Sequence, residues 1–391
     1  MDGTEIETMG QKYSTLKRAC PVCEKKTGAV MGKLTYALFD DLEIPGVKNL
    51  VQCGDCDMLF DDVAFTERQL DEYYRCNEHY AATDIGGAGG VSDDNKERYD
   101  RIIDMLNPGR ADLILDYGCG QGGLVARCRQ RGLTAVGIEP SAKSREVAQS
   151  SGLPVFDSMD ALKAEDRACR IYAVVFSHVL EHLLNPMHLV RICGELAEDA
   201  WVYLEVPDAD SYLAPNTVRW EEMYFEHLSH FRQNHLQEFA RRSGIEVIKE
   251  YKQVFSTSLD DIKCLVLLGR FSGDVVKEDG SKIKESRPFF KLTALSADAV
   301  PKDGPLALWG VSQYAMLLLG SYPGLKDRIH RLFDASPAKI GRSINGVVVE
   351  SSANINTLPA DVNLLIPKSK FLTQMCRQLH DCGYRGDVRI I

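Results

Sequence analysis

An apolar run leads directly into a glycine-rich turn at Leu115-Asp116-Tyr117-Gly118-Cys119-Gly120-Gln121-Gly122, and this restricts the fold more than any other feature. The run Ala111–Asp116 (ADLILD) shows little polar alternation, so it reads as a strand covered on both faces, as in a parallel sheet flanked by helices. Gly118, Gly120 and Gly122 permit a tight turn and let a ligand approach the backbone. The next strand, Thr134–Glu139 (TAVGIE), ends in a carboxylate 17 residues after Gly122. A carboxylate there can accept both hydroxyls of a ribose. Nicotinamide-binding loops usually read GxGxxG, and Gly123 keeps that reading formally open.

The rest of the chain extends the pattern. Helices are predicted over Arg98–Leu106, Gly123–Arg131, Ser141–Ser150, Leu189–Leu196 and Asn234–Ser243, and strands over Tyr172–Phe176, Trp201–Val206, Ile245–Glu250 and Ile262–Leu268. Residues 271–304 are charged and broken by Gly and Pro, which marks a linker. A second α/β run follows. It has strands at Leu306–Trp309, Ile329–Asp334, Asn363–Pro367 and Asp387–Ile391, and helices at Gln313–Leu319 and Lys370–Cys382. The predicted organisation is therefore 1–75, a core over 76–270, the linker 271–304 and a C-terminal α/β domain over 305–391. Residues 76–96, with four glycines, read as a hinge or lid.

Cys20-Pro-Val-Cys23 and Cys53-Gly-Asp-Cys56 are two knuckles, each able to place two thiolates on one ion. Together they supply the four sulfurs of a tetrahedral Zn²⁺ site with no position open to water, hence a structural role. The other eight of the twelve cysteines lack such spacing, and most of them read as buried fillers. The acidic, polar N-terminus is not a secretory signal, so free thiols or metal ligands are expected rather than disulfides, and the compartment reading is cytoplasmic. With 46 basic against 56 acidic side chains in 391 residues, the net charge of −10 argues against nucleic acid and anionic membranes as partners. No apolar run reaches about 18 residues, so no membrane span is expected. Oligomeric state is open, with a monomer plausible.

Two histidine clusters follow strand ends. In Ser177-His178-Val179-Leu180-Glu181-His182, a helical turn would place His178 and His182 on one face. The reading favours proton handling or hydrogen bonding over metal binding, with a cofactor contact as the alternative for His178. The second cluster, Tyr224-Phe225-Glu226-His227-Leu228-Ser229-His230-Phe231, sets histidines beside a carboxylate, the usual arrangement of a positioned base.

The DxGCGxG form of the loop resembles motif I of class I S-adenosylmethionine (AdoMet)-dependent methyltransferases. Taken with Cys20/Cys23/Cys53/Cys56, Glu205–Pro207 and the Tyr-x-Glu-His run at Tyr224, Glu226 and His227 ahead of Phe231, the chain resembles the bacterial nucleotide-sugar C-methyltransferases over nearly its whole length. The resemblance implies a Rossmann-like core between an N-terminal zinc-binding module and a second, C-terminal Rossmann-like α/β domain. It implies a nucleotide-linked 4-keto-deoxysugar as substrate and methylation at C3 through an enolate. For the cofactor it points to Asp116, Gly118, Cys119, Gly120, Gly122, Glu139, Pro140, Ser177 and Asp157. Gly118 and Gly120 would meet the methionine portion and Glu139 the ribose; Asp157, where adenine would lie, reads equally as part of a turn. His227 is the implied base, Tyr224 and Glu226 line the sugar pocket, and His182 matches a further active-site histidine better than His178. An active-site tyrosine ahead of the lid is implied too; Tyr73, Tyr74 and Tyr80 are candidates, with Tyr80 selected.

The chain departs from the family pattern at residues 256–261, where a Gly-Gly-Ser segment is usual, and at Trp309–Ala315, where a Gly-rich loop with a following Lys is usual. Other readings are an O- or N-methyltransferase on a small natural-product intermediate, separable by product NMR; a zinc-ribbon regulatory protein that would not bind AdoMet; and a nicotinamide dehydrogenase, separable by cofactor titration.

Overall fold

The structure, a computed structural model, describes residues 13–76, 90, 95–164, 170–214, 217–256, 261–272, 295–368 and 371–391. Its centre is a seven-stranded sheet. In chain order the strands are β1 (Leu113–Tyr117), β2 (Thr134–Ile138), β3 (Val155–Phe156), β4 (Ile171–Ser177), β5 (Trp201–Pro207), β6 (Ile245–Ser256) and β7 (Asp261–Phe271). In space they run β6-β7-β5-β4-β1-β2-β3. All neighbours are parallel except β7, which is antiparallel to β5 and to β6.

The alternation along each strand explains why it is apolar throughout. Leu113 and Leu115 of β1, Val174 and Phe176 of β4, and Val202, Leu204 and Val206 of β5 enter one apolar cluster. Their neighbours Ile114, Ala173, Val175 and Tyr203 enter another, with Ile102, Ile103 and Val125 from helices Lys96–Leu106 and Gly123–Gln130. Both faces are thus covered. Helix starts are capped locally: Ser141 Oγ accepts from Ser144 N, and Asn185 Oδ1 accepts from His188 N ahead of Pro186. The two-residue β3 is an addition to the predicted strands, too short for its periodicity to register.

A second sheet is N-terminal: Ser14–Thr15, Thr27–Thr35, Val47–Cys53, Leu59–Val63 and, from far along the chain, Ser229–His230. The last pairs antiparallel, Ser229 with Phe60 and His230 with Leu59. A third, C-terminal sheet takes the order Ser343–Ile344, Val347–Ser351, Ile329–Asp334, Leu306–Trp309, Asn363–Ile366, Val388–Ile390. The hairpin at 343–351 was not in the predicted set; its outer residue Val348 is exposed, so no clean alternation marks it.

One apolar cluster unites all three regions. It holds Leu34, Tyr36, Phe39 and Phe65 from the N-terminal part, Tyr212, Trp220, Met223 and Phe225 from the segment after β5, and Leu306, Ala315 and Met316 from the C-terminal domain. The packing is close: a Cβ on Gly320 would fall 2.2 Å from Thr35 O. Among the described residues no helix is long and apolar enough to cross a membrane.

Candidate active site

The turn after β1 takes the conformation its glycines allow. Gly118, Gly120 and Gly122 have φ of 70°, 56° and 80°, a region that penalises side-chain-bearing residues. A Cβ on Gly118 would lie 2.6 Å from Val179 Cγ2, so the loop and the segment after β4 are in contact. Glu139, at the end of β2, accepts from Gly120 N (2.8 Å) through Oε2 and from Ser141 N (2.8 Å) through Oε1. Burial raises its pKa, against those two N–H bonds. A glycine cradle with a fixed carboxylate beside it fits the backbone-approaching and ribose-binding roles expected of an AdoMet site. Cys119 turns inward: a Cβ on Gly137 would meet its Sγ at 2.4 Å, so its backbone alone is left to face a ligand. Asp116 is buried, with its pKa raised to about 7 by burial against the pull of Arg98. Pro140 and Asp157 are exposed at the same edge of the sheet, and Asp157 accepts from Ser158 Oγ.

Arg98, absent from the predicted site, fixes the ends of β4 and β5. Its guanidinium donates to Glu205 Oε2 at 3.0 and 2.8 Å and also meets Ser177 Oγ, which donates to the same oxygen at 2.6 Å. Arg98 and Glu205 are buried. Burial alone would raise the Glu205 pKa, yet Arg98, then His178 and Ser177, bring it down to about 2.

His178 and His182 do not share a helical face. His178 sits at φ 56°, and only a single 3-10 turn, Leu180–His182, follows. The β4 register explains this: His178 N is drawn to Glu205 O (2.8 Å), which turns the chain away from a helical path. Glu181 instead lies between the rings, with Oε1 3.2 Å from His178 Nδ1 and 3.9 Å from His182 Nε2. His178 Nε2 is 3.5 Å from Cys264 Sγ.

The two histidine clusters meet in space. The His182 and His227 rings stand perpendicular with centroids 4.9 Å apart, and the Tyr224 ring lies 4.9 Å from His227. Burial lowers the pKa of both histidines, and for His227 the neighbouring His182, His230 and Lys48 add to it, so its imidazole is neutral at physiological pH. Tyr74 Oη is 3.0 Å from His182 Nδ1, and Tyr73 Oη donates to Glu226 Oε1 at 2.6 Å. Tyr80 lies outside the described residues. From the C-terminal domain Gln313 Nε2 donates to Glu226 Oε1 (2.9 Å) and Gln313 Oε1 accepts from Phe225 N (3.3 Å). Tyr224 and His227 open onto a cavity of about 170 Å³ that Pro207, Tyr212, Arg219 and Lys263 also line.

The four cysteines converge from two turns. Cys20 Sγ and Cys56 Sγ are 3.5 Å apart, Cys23 Sγ and Cys53 Sγ 3.4 Å, and all four sulfurs lie within 4.8 Å of one another. Zn–S bonds of about 2.3 Å at tetrahedral angles put sulfurs about 3.8 Å apart, so this set fits the ion. The cluster is buried, and His235 Nε2 contacts Cys56 O at 3.0 Å from the core.

Sheet order, parallel register and glycine turn define the class I AdoMet-dependent methyltransferase fold, with the switch point between β1 and β4. Residues 93–250 match a family described as a methyltransferase domain. The chain is 34% identical over 110 residues to a ubiquinone biosynthesis O-methyltransferase of Paracidovorax citrulli, a match covering 26% of this chain and 46% of that protein. It is 24% identical over 179 residues to the C-methyltransferase NovU of Streptomyces niveus, covering 43% and 40%. The chain thus spans about half the length of these relatives or less. A solved magnesium protoporphyrin IX methyltransferase from Synechocystis PCC 6803, with bound SAM, superposes with a TM-score of 0.38 at 16% identity over 54% of this chain and 99% of that one.

Proposed function

We propose that the protein is an AdoMet-dependent C-methyltransferase acting at C3 of a nucleotide-linked 4-keto-deoxysugar, with His227 as the base. The observation that carries this reading is the ring cluster of His182, Tyr224 and His227 beyond the strand ends, of which Tyr224 and His227 line a cavity beside the segment after β5. The 24% identity to a C-methyltransferase agrees with it.

Bound AdoMet supplies a methyl group on a sulfonium, a good leaving group. Gly118 and Gly120 would receive its methionine portion, and Glu139 its ribose. A 4-keto group acidifies the adjacent C3–H. Neutral His227 has a lone pair to take that proton, and Tyr224 and His182, whose rings stand beside it, would donate to the enolate oxygen. C3 of the enolate would then bond to the methyl carbon as its carbon–sulfur bond breaks, the sulfur leaving as a neutral thioether and the proton staying on His227. Holding both reactants aligned contributes up to roughly 7–11 kcal/mol. The four cysteines would bind one structural zinc, bracing the N-terminal sheet behind the site.

The test is product NMR after incubation with AdoMet and a TDP-linked 4-keto-deoxysugar. A new methyl on C3 is expected, and His227→Ala should abolish it while AdoMet affinity stays within a few-fold. An O-methyl product, or full turnover by His227→Ala, would refute this reading. O-methylation is the second reading, favoured by the 34% identity to an O-methyltransferase.

A further inference from the structure

Lys48 is a lysine in a place that lysines rarely occupy. It lies in the strand Val47–Cys53 and is 1% exposed, and its partner Asp61 is 0% exposed. Lysine is almost never fully buried unless paired. Here Nζ lies 2.6 Å from Asp61 Oδ2 and donates to the carbonyls of Tyr224 (2.8 Å), His227 (3.1 Å) and Phe225 (3.3 Å). We propose that Lys48 is a positioning residue for the active site: its ammonium, held by Asp61, gathers the carbonyls of Tyr224, Phe225 and His227 and so sets where the Tyr224 and His227 rings stand over the cavity.

The reason lies in the backbone. The segment from Tyr224 to His227 is neither helix nor strand; a turn bond from His227 N to Tyr224 O (3.2 Å) closes it, and no regular ladder of backbone bonds fixes where its carbonyls point. An ammonium offers three donors from one point and can serve several carbonyls that converge on it. The next carbonyl, of Leu228, goes instead to Arg18 Nη1 at 2.6 Å, and Arg18 also binds Leu183 O, Leu184 O and Ser229 Oγ. Two buried cations from the N-terminal region therefore hold the segment, while Glu226 is fixed from the other side by Tyr73 and Gln313. Asp61 is shared: His230 Nε2 stands 3.5 Å from Oδ2, and His230 Nδ1 is 3.0 Å from Tyr212 Oη, a wall of the cavity. The Lys48 charge is one of those that keep the His227 imidazole neutral.

This inference rests on Tyr224 and His227 being the reacting pair, but its test needs no sugar. The full chain carrying Lys48→Met is compared with the parent by amide hydrogen exchange and by NMR titration of ¹³C-labelled histidine rings. Exchange in residues 223–231 should rise about tenfold or more, while β1 and β4 change less than about twofold. The His227 midpoint should move up. The groups facing it, His178, Glu181 and His182 after β4 and Tyr224, Glu226 and His230 on its own segment, all remain. A merely space-filling lysine would not move that midpoint. If Lys48→Met is not recovered folded, Lys48→Met/Asp61→Leu replaces the ion pair by apolar side chains, which buried pairs often tolerate. Exchange in 223–231 should rise in it as well, whereas loss of the Asp61 carboxylate together with the Lys48 ammonium offsets the change in the His227 midpoint. A folded variant with unchanged exchange in 223–231 and an unchanged His227 midpoint would overturn the proposal. A wrong sugar substrate would leave both measurements as they are.

Discussion

Removing Arg98 should cost several kcal/mol of stability, and the structure sets the size. Arg98 and Glu205 have side chains 1% and 0% exposed, and the guanidinium makes two hydrogen bonds to one carboxylate oxygen. Arg98→Met leaves a buried carboxylate whose main counter-charge is gone. Breaking such a pair typically costs about 3–5 kcal/mol. The direction agrees: against burial, which would raise it, Arg98 is the main group that holds the Glu205 pKa down to about 2 from an ordinary 4.5, with His178 and Ser177 adding to it. The sign follows from linkage. A carboxyl with a lowered folded pKa adds stability that is complete above 4.5 and lost as the pH falls toward 2. Guanidinium unfolding of the parent and Arg98→Met at pH 7 should therefore differ by about 3–5 kcal/mol, and the gap should narrow between pH 4.5 and 2. Arg98→Met/Glu205→Leu should regain most of the loss. A loss under about 1 kcal/mol, or a double variant no better than the single one, would refute the reasoning.

Other outcomes are open to direct measurement. Cys53→Ser should lose one equivalent of zinc and lower the melting temperature; unchanged metal content would exclude the four-thiolate site. Gly118→Ala forces a side chain into φ 70° and its Cβ to 2.6 Å from Val179 Cγ2, at a cost of at least about 1–2 kcal/mol. Calorimetry should show weaker AdoMet binding by this variant, and parental affinity and stability together would contradict the cradle geometry. The pKa of His227 is lowered in the fold, so the unfolded chain takes up its proton first as the pH drops. Stability should decline below the ordinary value of 6.5, and His227→Gln should flatten that decline in unfolding titrations; equal slopes would remove His227 from the account.

Much of the fold was legible in local pattern. Uninterrupted apolar runs marked β1, β4 and β5 because strands covered on both faces need apolar residues at every position. The glycines of the β1 turn and the acid closing β2 are adjacent in sequence to the elements they terminate, so their positions followed. The cysteine knuckles were equally plain, since each is a short-range feature. The segment 178–182 misled because spacing alone suggests a helix, whereas the Glu205 carbonyl across the sheet diverts the chain at His178.

What the sequence by itself determined was therefore which elements form and which residue types stand at the strand ends. Only the tertiary structure decided what surrounds them. Lys48, Arg98, Arg18 and Gln313 read as ordinary polar residues, and nothing local shows which oxygens they will meet. They become site-building residues through partners far along the chain, such as Phe225, 88 positions from Gln313, and Leu228, 210 positions from Arg18. A buried charge is stable only where distant oxygens converge on it, and that convergence is a property of packing, which no short stretch of the chain contains.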